Sequence, residues 1–213
     1  MTRSLIWDEF DLVVFDMDGT LYDQSRLQRH MMAALARDAL RRRSLCTIRT
    51  LSAFRKQRES MADMPVEDFD AAQYRLPGRA PEQVRMMVAD WMERRPLPLL
   101  RRYRAAGVGQ LFERLARRHV VAIYSDYPPS EKLAALGLSA ALTVGANDVG
   151  RLKPDPSGLL LLMERAHVAP ARTLMIGDRD DRDGEAARRA GVRALIRGRD
   201  FRHFDEPIFR HVA

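Results

Sequence analysis

Four scarcities narrow the field before any motif is considered. Among 213 residues there is one cysteine, Cys46, so no intramolecular disulfide can form and a reducing, cytoplasmic setting is the expectation. No apolar run approaches the roughly 20 residues needed to span a bilayer. The segment from Met1 to Asp11 carries Asp8, Glu9 and Asp11, which is unlike a secretory signal. Lysine is nearly missing as well: of 36 Lys and Arg, only Lys56, Lys132 and Lys153 are lysines. Aromatic residues are 7% of the chain, and few of them accompany the arginines, so recognition of nucleic-acid bases by stacking is not indicated. There is no internal repeat and no low-complexity linker.

What is present is enough apolar material, 46%, to bury a real core, which excludes wholesale disorder. The length fits one domain, or a core domain with a modest insertion. The formal charge is +7. An excess of arginine could mark a nucleic-acid binder; coding bias in a GC-rich genome is the plainer account and carries more weight.

The first element is Leu12-Val13-Val14-Phe15, a short apolar run with β-branched members that predicts a buried strand. It ends in the polar turn Asp16-Met17-Asp18-Gly19-Thr20. From Tyr22 to Ala106 the pattern is helical. Leu27, Met31, Met32, Leu35, Ala39 and Leu40 recur at near-helical spacing, as do Val84, Met87, Val88, Trp91 and Met92, with Pro65, Pro77, Pro81, Pro96 and Pro98 as punctuation. From Gly107 onward, strands (Val120–Tyr124, Leu142–Val144, Thr173–Ile176, Arg193–Ile196) alternate with helices (through Leu111 and Leu115, Ser130–Leu136, Ser157–Ala166, Gly184–Ala190). The expected architecture is α/β: a parallel, Rossmann-like sheet with right-handed crossovers, formed by residues 1–21 and 107–213. An all-helical insertion of about 85 residues, 22–106, interrupts it after the first strand.

Carboxyl ends of parallel strands share one edge of the sheet, where ligands bind. Asp16 and Asp18 follow the first strand, Ser125 and Asp126 the second, and Asp178 and Asp183 the strand ending at Ile176. At least four carboxylates therefore converge. Such a cluster is costly unless neutralised, and Mg²⁺ is the hard cation that accepts carboxylate oxygens and bridges to phosphate. Lys153, a compact point charge in a chain that otherwise uses the wide arginine fork, suits the remaining charge balance.

Taken together, Asp16-Met17-Asp18-Gly19-Thr20, Ser125 after an apolar strand, Lys153-Pro154, and Gly177-Asp178 with Asp183 five positions on resemble the four motifs of the haloacid dehalogenase superfamily, phosphatase-type with a helical cap, as in phosphoglycolate phosphatases. The resemblance implies Asp16 as nucleophile and Asp18 as general acid and base. It implies Thr20, Ser125, Lys153 and the backbone N–H near Asp126 as phosphate ligands. Mg²⁺ would be held by Asp16, the main-chain carbonyl of Asp18, Asp178 and Asp183. It also implies that members lacking a second aspartate, dehalogenases among them, do not need to protonate a leaving group, so Asp18 disfavours dehalogenation. A mobile cap over residues 22–106, hinged near Tyr22–Ser25 and Leu100–Gly107, would close over the site.

The expected function is thus a Mg²⁺-dependent phosphatase acting through an aspartyl-phosphate on a small phosphorylated metabolite: a phosphoglycolate-like acid, a sugar phosphate or a nucleoside monophosphate. The alternatives are a β-phosphoglucomutase-like phosphomutase and, from a different class, a nucleic-acid or partner-binding protein using the basic insertion. Asp180 and Asp181 are expected to be solvated loop acids. His30, His119, His167, His203 and His211 have no metal-ligand spacing. Cys46 is expected to pack inside the cap, the Val84–Met92 stripe to be helix core, and Arg41-Arg42-Arg43 to form a solvated helix end. Residues 22–106 hold 18 Lys and Arg against 10 Asp and Glu, leaving +8 there and −1 in the remainder. A basic lid that draws anions to an acidic, metal-binding core accounts for this division better than nucleic acid does.

Overall fold

The computed structural model describes residues 5–62 and 69–210; Met1–Ser4, Pro65 and His211 lie outside the described residues. Strand β1 (Leu12–Phe15) is buried on both faces, as its unbroken apolar run requires. It is flanked in parallel by β2 (Val120–Ser125) and β4 (Thr173–Gly177), with β3 (Leu142–Gly145) and β5 (Arg193–Ile196) outermost, in the order β3-β2-β1-β4-β5. The chain builds from β1 toward one edge and then returns to build toward the other. This reversal places a topological switch point between β1 and β4, where the loops at the carboxyl ends part and leave a crevice. Phe15 pairs with Ile176, so the loops carrying Asp16 and Asp178 leave the sheet side by side.

Alternate residues of β1 serve two apolar layers. Val13 and Phe15 join Val108, Leu111, Phe112 and Leu115 of α6 (Val108–Leu115) and the ring cluster of Phe201, Phe204 and Phe209. Leu12 and Val14 join Leu159, Leu162 and Met163 of α9 (Ser157–Ala166) and Ala186 and Ala187 of α10 (Glu185–Arg189). Helices therefore cover both faces of the sheet. Helices α7 (Ser130–Leu136) and α9 have the bounds expected from the sequence. Strand β2 runs on to Ser125, which pairs with Gly145, so this serine ends a strand rather than following one. A short α8 (Ala146–Val149), not foreseen, precedes the Lys153 loop.

Between β1 and β2 the chain forms α1 (Gln24–Arg42), α2 (Cys46–Ser60), α3 (Phe69–Ala72), α4 (Pro81–Val88) and α5 (Leu97–Tyr103), with no strand among the described residues there. Asp23 caps α1 by accepting the Arg26 N–H at 2.9 Å. The insertion has its own small core of Leu51, Phe54, Tyr74, Leu76, Val84, Val88 and Trp91. Leu27 at the start of α1 and Leu100 in α5 belong instead to the main core. The two connections run side by side: Ala105 N–H donates to the Leu21 carbonyl at 2.9 Å, and Asp23 N–H to the Tyr103 carbonyl at 2.8 Å. Among the described residues, no helix is long and apolar enough to cross a membrane.

Candidate active site

Asp16 emerges directly from β1, and its carboxylate is buried. Thr20 Oγ donates to Asp16 Oδ2 at 3.0 Å, closing the turn whose Leu21 N–H bonds the Met17 carbonyl at 3.0 Å. Gly19 makes the turn possible. Its φ of +94° lies where side chains are strained, and a Cβ there would collide with Asp178 Oδ2. Gly19→Ala is therefore expected to displace Asp178 and to destabilise the fold by about 1–3 kcal/mol, read as a melting temperature below the parent's.

Lys153 is 2% exposed and unites the set. Its Nζ donates to Asp16 Oδ1, to Asp183 Oδ1 at 2.6 Å and to the Tyr124 carbonyl at 3.4 Å. Asp183 is fixed from its other oxygen, which accepts the N–H groups of Asp178 and Arg179 at 3.1 and 3.0 Å. The π-helical turn Asp180–Gly184 folds Asp183 back against Gly177, where a Cβ would collide with it. One oxygen each from Asp16, Asp178 and Asp183 lies within 4.8 Å of the others. Burial, then repulsion from Asp183, raises the Asp16 carboxyl well above its ordinary range despite Lys153. The same two causes push Asp178 up to about 6. One lysine thus leaves this group of three carboxylates short of positive charge. The all-oxygen donor set is the type that hard divalent cations take, so the residues fit Mg²⁺.

Asp18 stands apart from that group. Lys132 Nζ donates to both of its oxygens at 2.7 and 2.9 Å, and Tyr22 Oη donates to Oδ1. Burial alone would raise the Asp18 carboxyl, but Lys132 and Tyr22 outweigh it and hold it below the ordinary range. Ser125 is buried, with Oγ accepting the Tyr127 N–H at 3.2 Å. Asp126 uses Oδ1 to accept the Lys153 N–H at 3.0 Å, which braces the lysine loop against β2.

Sequence reasoning missed Lys132, Tyr22 and Arg58. The rarity that singled out Lys153 applies equally to Lys132 and would have found it. Arg58, a buried residue of α2, has no such signal in an arginine-rich chain. It donates to Gln73 Oε1 and to the Asp126 carbonyl and lies 4.4 Å from the Tyr127 ring centroid, linking the insertion to the sheet edge.

Among the bystanders, Asp180 pairs with Arg188 and Arg199, and Asp181 with Arg179, all on the surface. Arg41 and Arg42 are exposed and pair with Asp38. Cys46 is not packed inside the insertion: it is exposed at the first turn of α2, where Arg79 donates to its Sγ at 3.2 Å, because the apolar stripe of α2 runs through Leu51 and Phe54 on another face. In the Val84–Met92 stripe, Val84, Val88 and Trp91 belong to the insertion's core and Met87 and Met92 pack against it, as expected, while Trp91 and Met92 also border a cavity.

Residues 10–191 match the model of a hydrolase family, haloacid dehalogenase-like hydrolase. A phosphoserine phosphatase of Thermus thermophilus is 34% identical over 134 residues, which are 60% of this chain and 52% of that protein. The chain thus spans about half the length of that curated relative. A 2-haloacid dehalogenase structure from Pseudomonas syringae superimposes with a TM-score of 0.61 at 23% identity, covering 93% of this chain and 90% of that one. The magnesium-bound hydrolase YfnB of Bacillus subtilis does so at 0.64 and 16%, covering 88% of each chain. Both structural likenesses are of fold.

Proposed function

The chain belongs to the haloacid dehalogenase-like hydrolase family, and from that premise we propose that it is a Mg²⁺-dependent phosphatase. The observation that carries the reading is the division of labour between two aspartates two residues apart. Asp16 faces Lys153 and the other carboxylates, while Asp18 is held apart by Lys132 and faces the cavity beneath the insertion. An alkoxide leaving group needs a proton and a halide does not, so a second carboxyl on the substrate side favours phosphate esters. The Thermus phosphatase relative and the magnesium in the Bacillus neighbour support the same reading.

In this proposal Asp16, Asp178, Asp183 and the Asp18 main-chain carbonyl hold Mg²⁺, which when bound neutralises charge on the phosphoryl oxygens. Thr20, Ser125, the Asp126 N–H and Lys153 orient the phosphoryl group. An Asp16 oxygen attacks phosphorus, the P–O bond to the leaving group breaks, and Asp18 gives that oxygen its proton. Water then attacks the aspartyl-phosphate and passes a proton to Asp18, and the P–O bond to Asp16 breaks, releasing phosphate. Lys132 keeps Asp18 ionised in the free protein; a phosphate dianion brought beside Asp18 raises its proton affinity and loads it as the acid. Residues 22–106 act as a cap on the 1–21 and 107–213 core, moving about the paired connections at Tyr22 and Arg104.

Phosphate release from p-nitrophenyl phosphate, abolished by EDTA and restored by Mg²⁺, tests the assignment. Turnover that persists in EDTA would overturn it. Asp18→Asn is expected to lower kcat/KM for alkyl phosphates about 10²- to 10⁴-fold. The loss for p-nitrophenyl phosphate should be smaller, because that leaving group departs without a proton. Equal losses for both would remove Asp18 from the acid role.

A further inference from the structure

The proposed phosphatase reading leaves open which phosphate esters the site accepts, and the cavity above Asp18 bears on it. The cavity encloses about 450 Å³ between the insertion and the sheet edge, with Asp18 and Lys132 at its floor. A volume of this size falls within the roughly 300–1,000 Å³ of pockets that hold drug-sized ligands, far more than the body of a two- or three-carbon acid fills. Along its cap wall runs an apolar strip of Leu27, Met31, Leu35, Leu51, Trp91 and Met92, whereas the polar cap residues of the lining, Gln28, Arg55 and Glu59, are exposed and Gln24 is half-buried. Leu27, Met31 and Leu35 stand at i, i+4 and i+8 on α1 and so form one continuous stripe. Trp91 and Met92 come from the π-helical turn Ala89–Arg94 that follows α4.

Of the cations in the same lining, all but the exposed Arg55 are engaged elsewhere. Arg58 is taken up by Gln73 and the Asp126 carbonyl, Arg179 by Asp181, and Arg182 by the Lys153 carbonyl. Lys132 is committed to Asp18. A polyhydroxylated body placed along the apolar strip would give up its hydration there and find no polar partner on that strip, which is unfavourable. An aliphatic or aryl body would instead release water from an apolar surface. Methionine side chains, unbranched and polarisable, fit bodies of varied shape.

We propose that the enzyme's preferred substrates are phosphomonoesters of apolar alcohols, with an alkyl or aryl body of about ten non-hydrogen atoms lying along the Leu27–Met31–Leu35 stripe and the phosphate below it at Asp16. This rests on the phosphatase reading for turnover, but the cavity's preference for apolar bodies can be measured without it.

The test is a chain-length series. With Mg²⁺ present, kcat/KM for ethyl, butyl and hexyl phosphate is expected to rise about fourfold per added methylene, so roughly 250-fold from ethyl to hexyl. Hexyl phosphate should also exceed phosphoserine and phosphoglycolate. In parallel, ethyl- and hexylphosphonate, which cannot be hydrolysed, are titrated against the protein, and Kd is expected to tighten by the same ratio. Leu35→Gln, and Met32→Gln at the exposed rim of the same lining as a variant that does not disturb packing, should each shrink the hexyl-to-ethyl ratio at least threefold. A flat series, or phosphoserine or phosphoglycolate outrunning hexyl phosphate, overturns the proposal while leaving the phosphatase intact. Graded phosphonate binding without any turnover overturns the phosphatase reading and leaves the apolar cavity standing.

Discussion

Asp16→Asn should abolish turnover without unfolding the protein. Removing a nucleophile from a working catalytic set costs about 10⁴- to 10⁶-fold in kcat, because the remaining groups bind and orient but no longer form the covalent intermediate. The structural consequence runs the other way. Asp16 is buried with its carboxyl raised well above the ordinary range, so its ionised form works against the fold when no cation is bound. The amide keeps the shape and lifts one charge from a cluster of three, while Lys153 retains Asp183 at 2.6 Å. In EDTA the variant is therefore expected to melt no lower than the parent, and Mg²⁺ should raise its melting temperature less than it raises the parent's. Phosphate release and melting curves with and without Mg²⁺ check both halves. A variant that turns over at more than a hundredth of the parental rate would exclude Asp16 as nucleophile.

Lys153→Met is expected to have the largest effect on stability. The side chain it removes is buried and paired with two buried carboxylates, Asp16 and Asp183. Breaking a buried pair by deleting one partner typically costs about 3–5 kcal/mol, because the charge left behind has lost its compensation. For a chain of this size that corresponds to roughly 6–20 °C in melting temperature. Three carboxylates would then face one another, so the deficit should be greatest in EDTA and shrink in millimolar Mg²⁺. Lys56→Met, at an exposed position of α2, is the matched control and should melt like the parent. Equal melting temperatures for Lys153→Met and the parent in EDTA would show that Lys153 is not what neutralises the cluster.

Much of this was legible in the sequence because the relevant signals are local. An apolar run that ends in Asp-x-Asp-Gly-Thr identifies a strand, its carboxyl end and the acids placed there. The alternation of strands and helices after Gly107 dictates a parallel sheet, and a parallel sheet delivers strand ends to one edge. Asp16, Thr20, Ser125, Lys153, Asp178 and Asp183 are brought together for that reason, and the five-residue step from Asp178 to Asp183 selected the buried acid over its solvated neighbours Asp180 and Asp181.

Other features depend on contacts that no local pattern encodes. Periodicity shows that α1 buries a stripe through Leu27, Met31 and Leu35, but not whether the stripe meets a neighbouring helix or borders a cavity. Nor does it show that Trp91 and Met92, in and against the insertion's core, also border that cavity. Cys46 was misplaced because its exposure depends on which face of α2 turns inward. Lys132 meets Asp18 across 114 positions, and Arg58 reaches the Asp126 carbonyl across 68, only because α7 and α2 flank the same strand ends. The sequence by itself determined which carboxylates stand at the strand ends, since residue types at strand ends are a matter of short-range order. The tertiary structure alone decided which cation serves which carboxylate and what space lies above them, since those follow from how distant helices pack.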